Sequence, residues 1–286
     1  MKILLTNNHL DRFGGSETFT YTMAKELESR GHTVDVFTFH EGVMSEKLNC
    51  VEPTEYDLIL INHNSCLKAV KDIKGFKIFT SHGIFEGLEE PFEGADRYVA
   101  INEEVAGHHD FIMKIIRNGI DCERYKPVVP LNDEPKRLLC LSHGKQAQDN
   151  VKRACEEIGI EFMLLDRDTF NVEDYINRAD IVVSLGRGVY EAMACGREVI
   201  VYDNREYADN YADGIVRSGN IDEIVKNNCS GRRYKLDWGV SDIINAIAKY
   251  NPNHGLFNRE YALKHFDIKQ QVDKYLELYE SSNHKG

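Results

Sequence analysis

"KILLTNNHLDRFGGSETFTYTMAKELESRGHTVDVFTF", residues 2–39, contains two short apolar runs separated by a helical pattern. The first run, KILLT, and the last, TVDVFTF, have the length and composition of buried strands. Between them, from Glu17 to Ser29, the residues Phe19, Met23 and Leu27 recur on one face of a helix. A strand, a helix and a second strand in this order predict a βαβ unit with parallel strands.

The same alternation continues along most of the chain. In the first half, the further apolar runs are DLILIN (57–62), KIFTS (77–81), RYVAI (97–101) and KII (114–116). Beyond a proline-bearing stretch the runs are RLLCLS (137–142), EFMLL (161–165), DIVVS (180–184) and VIVYD (199–203). The last fifty residues, from Trp238, show only helical patterns. This order predicts an α/β protein with two parallel sheets and C-terminal helices.

The proline-bearing stretch YKPVVPLNDEPKR (125–137) marks a boundary between two domains. A chain of 286 residues also exceeds the usual size of one domain. We expect an N-terminal Rossmann-like domain over residues 1–128 and a second over 136–258, with a helix at 267–281 packing back on the first. A ligand cleft is expected between the carboxyl ends of the two sheets.

Composition and charge exclude some classes of protein. The net charge is −12, and neither side of residue 128 is basic: 14 − 21 gives −7 and 21 − 26 gives −5. Nucleic acids and anionic membranes are therefore disfavoured as partners. The start has no signal-peptide pattern and no segment has the apolar length of a membrane span, so we expect a cytoplasmic protein. The seven scattered cysteines contain no C-x-x-C pair and are expected to be reduced.

Three loops after predicted strands carry candidate ligand groups. Gly14 and Gly15 precede a helix, where backbone N–H groups can approach an anion, although a simple turn explains them equally well. Lys145 follows the first strand of the second half and can face a diphosphate, or lie exposed to solvent. Gly186 and Gly188 begin the helix in SLGRGVYEAMA (184–194). Such a helix start leaves N–H groups open to a ligand or lets the helix pack closely on a sheet.

Histidines provide a further set of candidates. His63 and His82 follow apolar strands, where they can transfer protons or bind a polar substrate. No cysteine or carboxylate stands at metal-ligand spacing beside either one, so a metal site is not expected. His108 and His109 are adjacent and are interpreted as surface residues.

Several separate segments resemble the retaining glycosyltransferases of family 4, which have the GT-B architecture of two Rossmann-like domains. These segments are GGSETFTYTMAKELESRGHTVDVFT (14–38), ADRYVAINEEVA (95–106), IRNGIDCERYKP (116–127), YINRADIVVS (175–184), EAMACGREVIV (191–201) and REYALKHFDIKQQVDKYLELYE (259–280). They follow the family's order over nearly the whole chain. The resemblance implies a metal-independent transferase without a cofactor. It would move a sugar from a nucleoside-diphosphate donor, most commonly a UDP-sugar, to a hydroxyl acceptor with retention.

The resemblance also implies roles for individual residues. The donor-binding residues would be Gly14, Gly15, Lys145, Gly186, Arg187, Gly188, Val189 and Glu191. Glu191 would accept hydrogen bonds from the ribose, Lys145 would lie near the diphosphate, and His82 would be the catalytic residue beside the transferred sugar. The chain departs from the family at Val183, where the first glutamate of a pair is usual, and in its shorter loop before Glu191. Arg187 is therefore a candidate for phosphate contacts.

Alternatives to this transferase remain open. They are a nucleotide-sugar-binding protein that has lost transfer, an epimerase of the same architecture, and a DNA-base glycosyltransferase, which the acidic charge disfavours. A saccharide or small molecule is the favoured acceptor. The motif DRD (166–168) is similar to a metal motif of the other large glycosyltransferase architecture, but so short a pattern arises often by chance and no metal site is predicted.

Overall fold

A computed structural model describes residues 1–85, 87–165, 169–204 and 211–283 of the chain. These residues form two compact units. The first contains Met1–Gly119 and the chain from Ile268 onward, and the second contains Ile120–Asp267. The DRD motif (166–168) lies outside the described residues.

The first unit is built on one parallel sheet. Its elements are β1 (Lys2–His9), α1 (Gly15–Ser29), β2 (Thr33–His40), β3 (Leu58–Asn62), α2 (Asn64–Val70), β4 (Phe76–Ser81), β5 (Arg97–Ala100), α3 (Glu103–His108) and β6 (Lys114–Ile115). The strands lie in the order β2-β1-β3-β4-β5-β6, and every described pair is parallel. The predicted βαβ unit is confirmed, because β1 and β2 pair from Lys2 opposite Thr33 onward. The helix begins at Gly15, two residues before the predicted Glu17, with Gly14 at the N-cap.

The second unit is also built on a mainly parallel sheet, but one of its two edge strands is antiparallel. Its elements are β7 (Arg137–Cys140), α4 (Lys145–Ile158), β8 (Glu161–Leu164), α5 (Val172–Arg178), β9 (Ile181–Ser184), α6 (Arg187–Ala194), β10 (Glu198–Tyr202), β11 (Ala212–Ile215), α7 (Ile221–Ile224), α8 (Val240–Ile247) and α9 (Asn253–His265). The strands lie in the order β11-β10-β9-β7-β8. Buried apolar side chains lie on both faces of this sheet.

Strand β11 departs from the predicted all-parallel sheet, because it pairs antiparallel with β10. Its sequence ADGI contains no apolar run that could have predicted a strand. The carboxylate of Asp213 accepts hydrogen bonds from the amides of Gly231 and Tyr234, at 2.9 and 2.8 Å. Gly214 has a φ of +85° and lies beside the indole of Trp238. Hydrogen bonds to residues distant in sequence therefore accompany this strand, which hydrophobic patterning does not predict.

The boundary between the units differs from the predicted one. Ile120, Cys122 and Tyr125 are buried in the core of the second unit, so residues from 120 onward belong to it. At the other end, α9 also belongs to the second unit, and Phe266 stacks on Tyr190 with 3.9 Å between the ring centroids. The proline-bearing stretch 125–137 thus lies within the second unit, because apolar residues on its N-terminal side are part of that core.

The last helix, α10 (Ile268–Asn283), packs against the first unit. Arg30 of α1 donates to Asp273 at 2.5 Å, and the hydroxyls of Thr80 and Tyr275 lie 3.0 Å apart in a buried hydrogen bond. Gly119 allows the chain to approach this helix, because a Cβ there would overlap Ile268. The end of the chain therefore completes the unit that the start of the chain begins.

All seven cysteines lie among the described residues as free thiols, and all but Cys50 are buried. Burial raises the pKa of the Cys66 and Cys155 thiols to about 12, so these groups stay protonated and act as small apolar side chains. Across the described part of the chain, no helix is long and apolar enough to cross a membrane.

Candidate functional site

Each sheet has one point where the connections between strands change direction. In the first sheet this point lies between β1 and β3, and in the second between β7 and β9. Open parallel sheets bind ligands outside the carboxyl ends of the strands at such a point. We call the residues that follow β1, β3 and β4 the first-sheet edge, and those that follow β7 and β9 the second-sheet edge.

His82, the predicted catalytic residue, lies at the first-sheet edge directly after β4. Its Nε2 lies 2.8 Å from Oδ1 of Asn62, and the Asn62 amide nitrogen donates to the carbonyl of Thr6 at 2.8 Å. The Asn62 oxygen is therefore an acceptor, which assigns the His82 proton to Nε2. The ring of Phe19 packs against the imidazole at 4.8 Å between centroids. Asn62 and Phe19 therefore fix the orientation of the His82 imidazole.

His63, the second predicted histidine, is buried at the end of β3 with a φ of +72°. Its Nδ1 accepts a hydrogen bond from the amide of Asn8 at 3.1 Å, so its proton is on Nε2. Burial, together with the smaller effects of His9 and Arg12, lowers the pKa of His63 to about 4, so the ring is neutral at physiological pH. A positive φ at a non-glycine residue costs about 1–3 kcal/mol, which the surrounding bonds must offset.

Glu89 is a residue of the first-sheet edge that the sequence analysis missed. Its Oε2 accepts a hydrogen bond of 2.6 Å from the His82 amide, and the Gly83 amide and Ser81 hydroxyl are further donors. Its Oε1 lies 3.6 Å from Nε2 of His63. Burial raises the pKa of Glu89 to about 7, and the hydrogen bonds oppose that rise. Loop 83–94 shows no recognisable motif. The only signal for this carboxylate is that the loop is short and so keeps Glu89 near the end of β4.

The adjacent histidines correct a prediction. His108 is exposed as expected, but His109 is buried, with its Nε2 3.1 Å from the Ser81 hydroxyl and its Nδ1 3.7 Å from a Glu90 oxygen. The physical reason is that α3 ends at His108 and the extended backbone of His109 turns its side chain inward. Although histidines and carboxylates are close here, no group of three or more His, Cys, Asp or Glu side chains in the described ranges could hold a metal ion.

The carboxylate of Glu17 packs against Gly14 in the Gly14-Gly15 loop. A Cβ on Gly14 would overlap the carboxylate of Glu17, whereas a Cβ on Gly15 would meet no atom within 4 Å. Glu17 accepts hydrogen bonds from Arg12 Nε at 3.1 Å and Ser16 Oγ at 3.0 Å. Gly14 is therefore required for packing, and contact of either glycine with a donor diphosphate remains a prediction.

At the second-sheet edge, both glycines of the SLGRG loop have structural roles. Gly186 has a φ of +56°, and its amide donates to the carbonyl of Cys229 at 3.1 Å. The expectation that this N–H group is open to a ligand is therefore wrong in this conformation. A Cβ on Gly188 would overlap the hydroxyl of Ser184, so its absence lets α6 begin close to β9. Close packing explains why both positions are small.

Arg187 and Glu191 form a buried ion pair one helical turn apart. Nε of Arg187 donates to Oε1 of Glu191 at 2.8 Å, and the two residues are only 8% and 7% exposed. The Tyr125 hydroxyl also hydrogen-bonds Glu191. Burial raises the pKa of Glu191, and the Arg187 charge opposes that rise. The structure thus brings together the residues predicted for the phosphates and for the ribose, and pairs them with each other.

The other predicted residues of the second-sheet edge are divided between core and surface. Val189 is fully buried and its amide donates to the Gly186 carbonyl at 3.1 Å, and its contact with a donor stays a prediction. Val183, at the family's first-glutamate position, is likewise fully buried. Lys145 begins α4 with a side chain that is 81% exposed, and it pairs with Asp149. The basic group expected near a diphosphate is therefore at the surface.

Comparison with known sequences does not identify a family for this chain. No family model matches the chain. Two curated spermidine/putrescine import ATP-binding proteins PotA, from Mycoplasma capricolum subsp. capricolum and Mycoplasma mycoides subsp. mycoides SC, are each 26% identical over 149 residues. These matches cover 46% of this chain, which spans only 40% of the length of either relative. The sequence also lacks the phosphate-binding pattern G-x-x-x-x-G-K-[ST].

Comparison with solved structures is informative about the fold. A glycosyltransferase from Rickettsia africae ESF-5 has a TM-score of 0.60 and 15% identity, over 98% of both chains. A variant of S. aureus TarM in complex with fondaparinux, alpha-GlcNAc-glycerol and UDP has a TM-score of 0.63 and 9% identity, over 98% of this chain and 100% of TarM. An alpha-glucosyltransferase in complex with UDP and a 13-mer DNA containing an HMU base has a TM-score of 0.58 and 12% identity, over 98% and 99%. With its two mostly parallel sheets, the chain has the α/β GT-B fold of these glycosyltransferases.

Proposed function

We propose that this protein is a retaining glycosyltransferase of family 4 that moves a sugar from a nucleoside-diphosphate donor to a hydroxyl acceptor. The observation that carries the proposal is the buried Arg187–Glu191 pair at the switch point of a GT-B sheet. A carboxylate that accepts ribose hydroxyls and a guanidinium that binds phosphate are the two groups a nucleoside diphosphate requires. The matching sequence segments support the same assignment.

In this proposal the ion pair exchanges partners when the donor binds. The ribose hydroxyls donate to Glu191, and the diphosphate takes the guanidinium of Arg187. Because α6 already holds both side chains in place, little rotamer entropy is lost on binding. The exposed Lys145 adds a second positive charge toward the diphosphate, releasing Asp149.

The first-sheet edge is proposed to serve the reacting sugar. Nε2 of His82 lies 2.8 Å from the Asn62 oxygen, which fixes the orientation of the imidazole, and we assign this imidazole to contact with a hydroxyl of the reacting sugar. Positioning of the two substrates and stabilisation of the leaving diphosphate by Arg187 and Lys145 would supply most of the rate. No metal ion takes part in this proposal, since these cations offset the developing charge.

Donor binding is the first test of the proposal. Melting temperatures would be measured with UDP, GDP, ADP and no nucleotide, because a ligand that binds only the folded state raises the melting temperature. We expect one nucleoside diphosphate, with UDP favoured, to stabilise the protein. Lys145→Ala should weaken this effect while the matched variant Asp149→Ala, which breaks the same ion pair, should not. Stabilisation by none of the nucleotides would overturn the proposal.

Product analysis separates the reaction classes. The substrates would be the sugar donor that carries the stabilising nucleotide and a panel of saccharide acceptors. We expect release of the nucleotide, and NMR of the product's anomeric proton should show that the donor's configuration is retained. Conversion of the donor sugar without an acceptor would indicate an epimerase instead. Stabilisation without any nucleotide release would indicate a binding protein. Activity abolished by a chelator and restored by a divalent metal would contradict metal independence.

DNA is a second candidate acceptor because one structural neighbour is described in complex with DNA containing an HMU base. The net charge of −12 opposes binding to a polyanion. We therefore expect the protein to pass through a duplex-DNA column at physiological salt. Retention at that salt, with sugar transfer to the DNA, would replace the saccharide acceptor in the proposal.

A further inference from the structure

Four donor groups converge on the carboxylate of Glu89. The His82 amide donates to Oε2 at 2.6 Å, the Gly83 amide donates to the same carboxylate, and the Ser81 hydroxyl lies 3.5 Å from Oε2. On the other oxygen, Nε2 of His63 lies 3.6 Å from Oε1. Glu89 thus connects the ends of two neighbouring strands, β3 and β4, at the first-sheet edge.

The position of the proton on His63 determines which group donates to Glu89. Because Nδ1 of His63 accepts from the Asn8 amide, the ring can only present an N–H to Glu89. Among the described residues, the two amides, the Ser81 hydroxyl and the His63 N–H can therefore all donate to the carboxylate. An ionised glutamate satisfies all of them, whereas a glutamine would place its NH₂ group against at least one.

We propose that Glu89 is a positioning residue of the transfer reaction, which holds the backbone at His82 and the His63 ring so that the His82 imidazole meets the reacting sugar. The proposal rests on the function proposed above. Glu89 acts through His82 and need not touch a substrate. The positive φ of His63 agrees with this role, since strained residues persist where surrounding contacts fix them at functional sites.

The ionisation of Glu89 makes this role dependent on pH. Among the described residues, the groups that face it are His63 after β3, Ser81 at the end of β4, and His82 and Gly83 directly after β4, while Glu90 beside it in the loop faces His109 after α3. Since burial raises the pKa of folded Glu89 from 4.5 to about 7, the folded chain holds this proton more tightly than the unfolded chain. Its contribution to stability is therefore present below pH 4.5 and is lost as the pH rises through about 7.

A first experiment follows the hydrogen bond without any catalysis. In ¹⁵N-labelled protein, the His82 and Gly83 amide protons should shift with pH around a midpoint near 7, and the shift should disappear in Glu89→Gln. The matched control is Glu93→Gln, which changes the same charge at an exposed position of the same loop and should leave the titration intact. Amides that do not respond to pH, or that respond equally in Glu89→Gln, would overturn the proposal.

A second experiment measures the reaction. Glu89→Gln should lower kcat roughly tenfold to a hundredfold, the scale for a misplaced reacting group, with the KM for the donor unchanged. Glu89→Asp should restore part of the loss, and Glu93→Gln should have wild-type kinetics. Unchanged kcat in a folded Glu89→Gln protein would overturn the positioning role. Because nucleotide stabilisation is measured separately, a protein that binds no nucleotide would instead contradict the glycosyltransferase proposal.

Discussion

The two sheet edges have the same βα construction but opposite electrostatic character. At the first-sheet edge, the His63 ring and the His82 amide lie against one carboxylate, Glu89, whose pKa is raised to about 7 by burial. At the second-sheet edge, Arg187 and Glu191 form a buried ion pair behind a glycine of positive φ. The first arrangement is suited to proton and hydroxyl contacts, and the second to a ligand that carries fixed charge. The two sheets therefore share their construction and differ in the residues that follow their strands.

The largest effect should come from breaking the ion pair. Glu191→Ala removes the carboxylate that pairs with the buried Arg187 guanidinium, so we expect the free energy of unfolding to fall by about 3–5 kcal/mol. Urea unfolding followed by circular dichroism would measure it. The double variant Arg187→Met with Glu191→Leu removes both charges and should recover much of the stability. If the single and double variants lose the same free energy of unfolding, the loss does not come from an unpaired buried charge, and the electrostatic contrast between the two edges fails.

His82→Ala should have the next largest effect, on turnover and not on folding. We expect kcat to fall roughly a hundredfold or more, the usual scale for a positioned acid–base or polar group, with nucleotide binding nearly unchanged. Initial rates and isothermal titration with the nucleoside diphosphate would measure the two quantities. A variant that loses nucleotide affinity but keeps its turnover would reverse the roles of the two edges.

Gly186→Ala tests how the second-sheet edge is shaped. A side chain at this φ of +56° should cost about 1–3 kcal/mol of stability. The matched variant is Gly15→Ala at the start of α1, where the added Cβ meets no atom within 4 Å and stability should stay equal or rise by about 0.4–1 kcal/mol. Thermal unfolding of both variants checks the contrast. An equal loss of stability in the two variants would mean that the positive φ of Gly186 is not the reason for its glycine.

The smallest effect concerns the exposed pair of Lys145 and Asp149. Because the lysine side chain is 81% exposed, breaking the pair should change the unfolding free energy by only about 0–1 kcal/mol. Lys145→Ala and Asp149→Ala should therefore unfold at nearly the wild-type urea concentration. A large loss in either variant would show that this surface pair, like the buried one, contributes to the fold.

The sequence predicted the parts of the structure that depend on repeated patterns. The strands were predicted because apolar runs such as DLILIN follow the burial that a parallel sheet requires, and β3 is buried along its whole length. At the second-sheet edge, Glu191 was predicted from the family resemblance and Arg187 from the shorter loop that precedes it, and α6 carries both side chains. Their mutual ion pair was not predicted, since spacing allows a contact without requiring it.

The rest depends on contacts between residues distant in sequence. Glu89 reaches His63 through a loop of no recognisable pattern, and His109 is buried only because the backbone extends after α3. Strand β11 forms around the hydrogen bonds of Asp213. The domain boundary was placed at the prolines, but the burial of Ile120 and Cys122 determines it. Such features are set by tertiary packing, which local composition does not encode.

Helix α10 has a consequence for the order in which the protein can fold during synthesis. It supplies Tyr275 to Thr80 and Asp273 to Arg30, yet the whole of residues 120–267 is made before it. Residues 1–119 are therefore made before α10, and the Thr80 hydroxyl has no Tyr275 to bind until α10 has been made. Synthesis of α10, rather than of residues 1–119, is the step that supplies these contacts to the first unit.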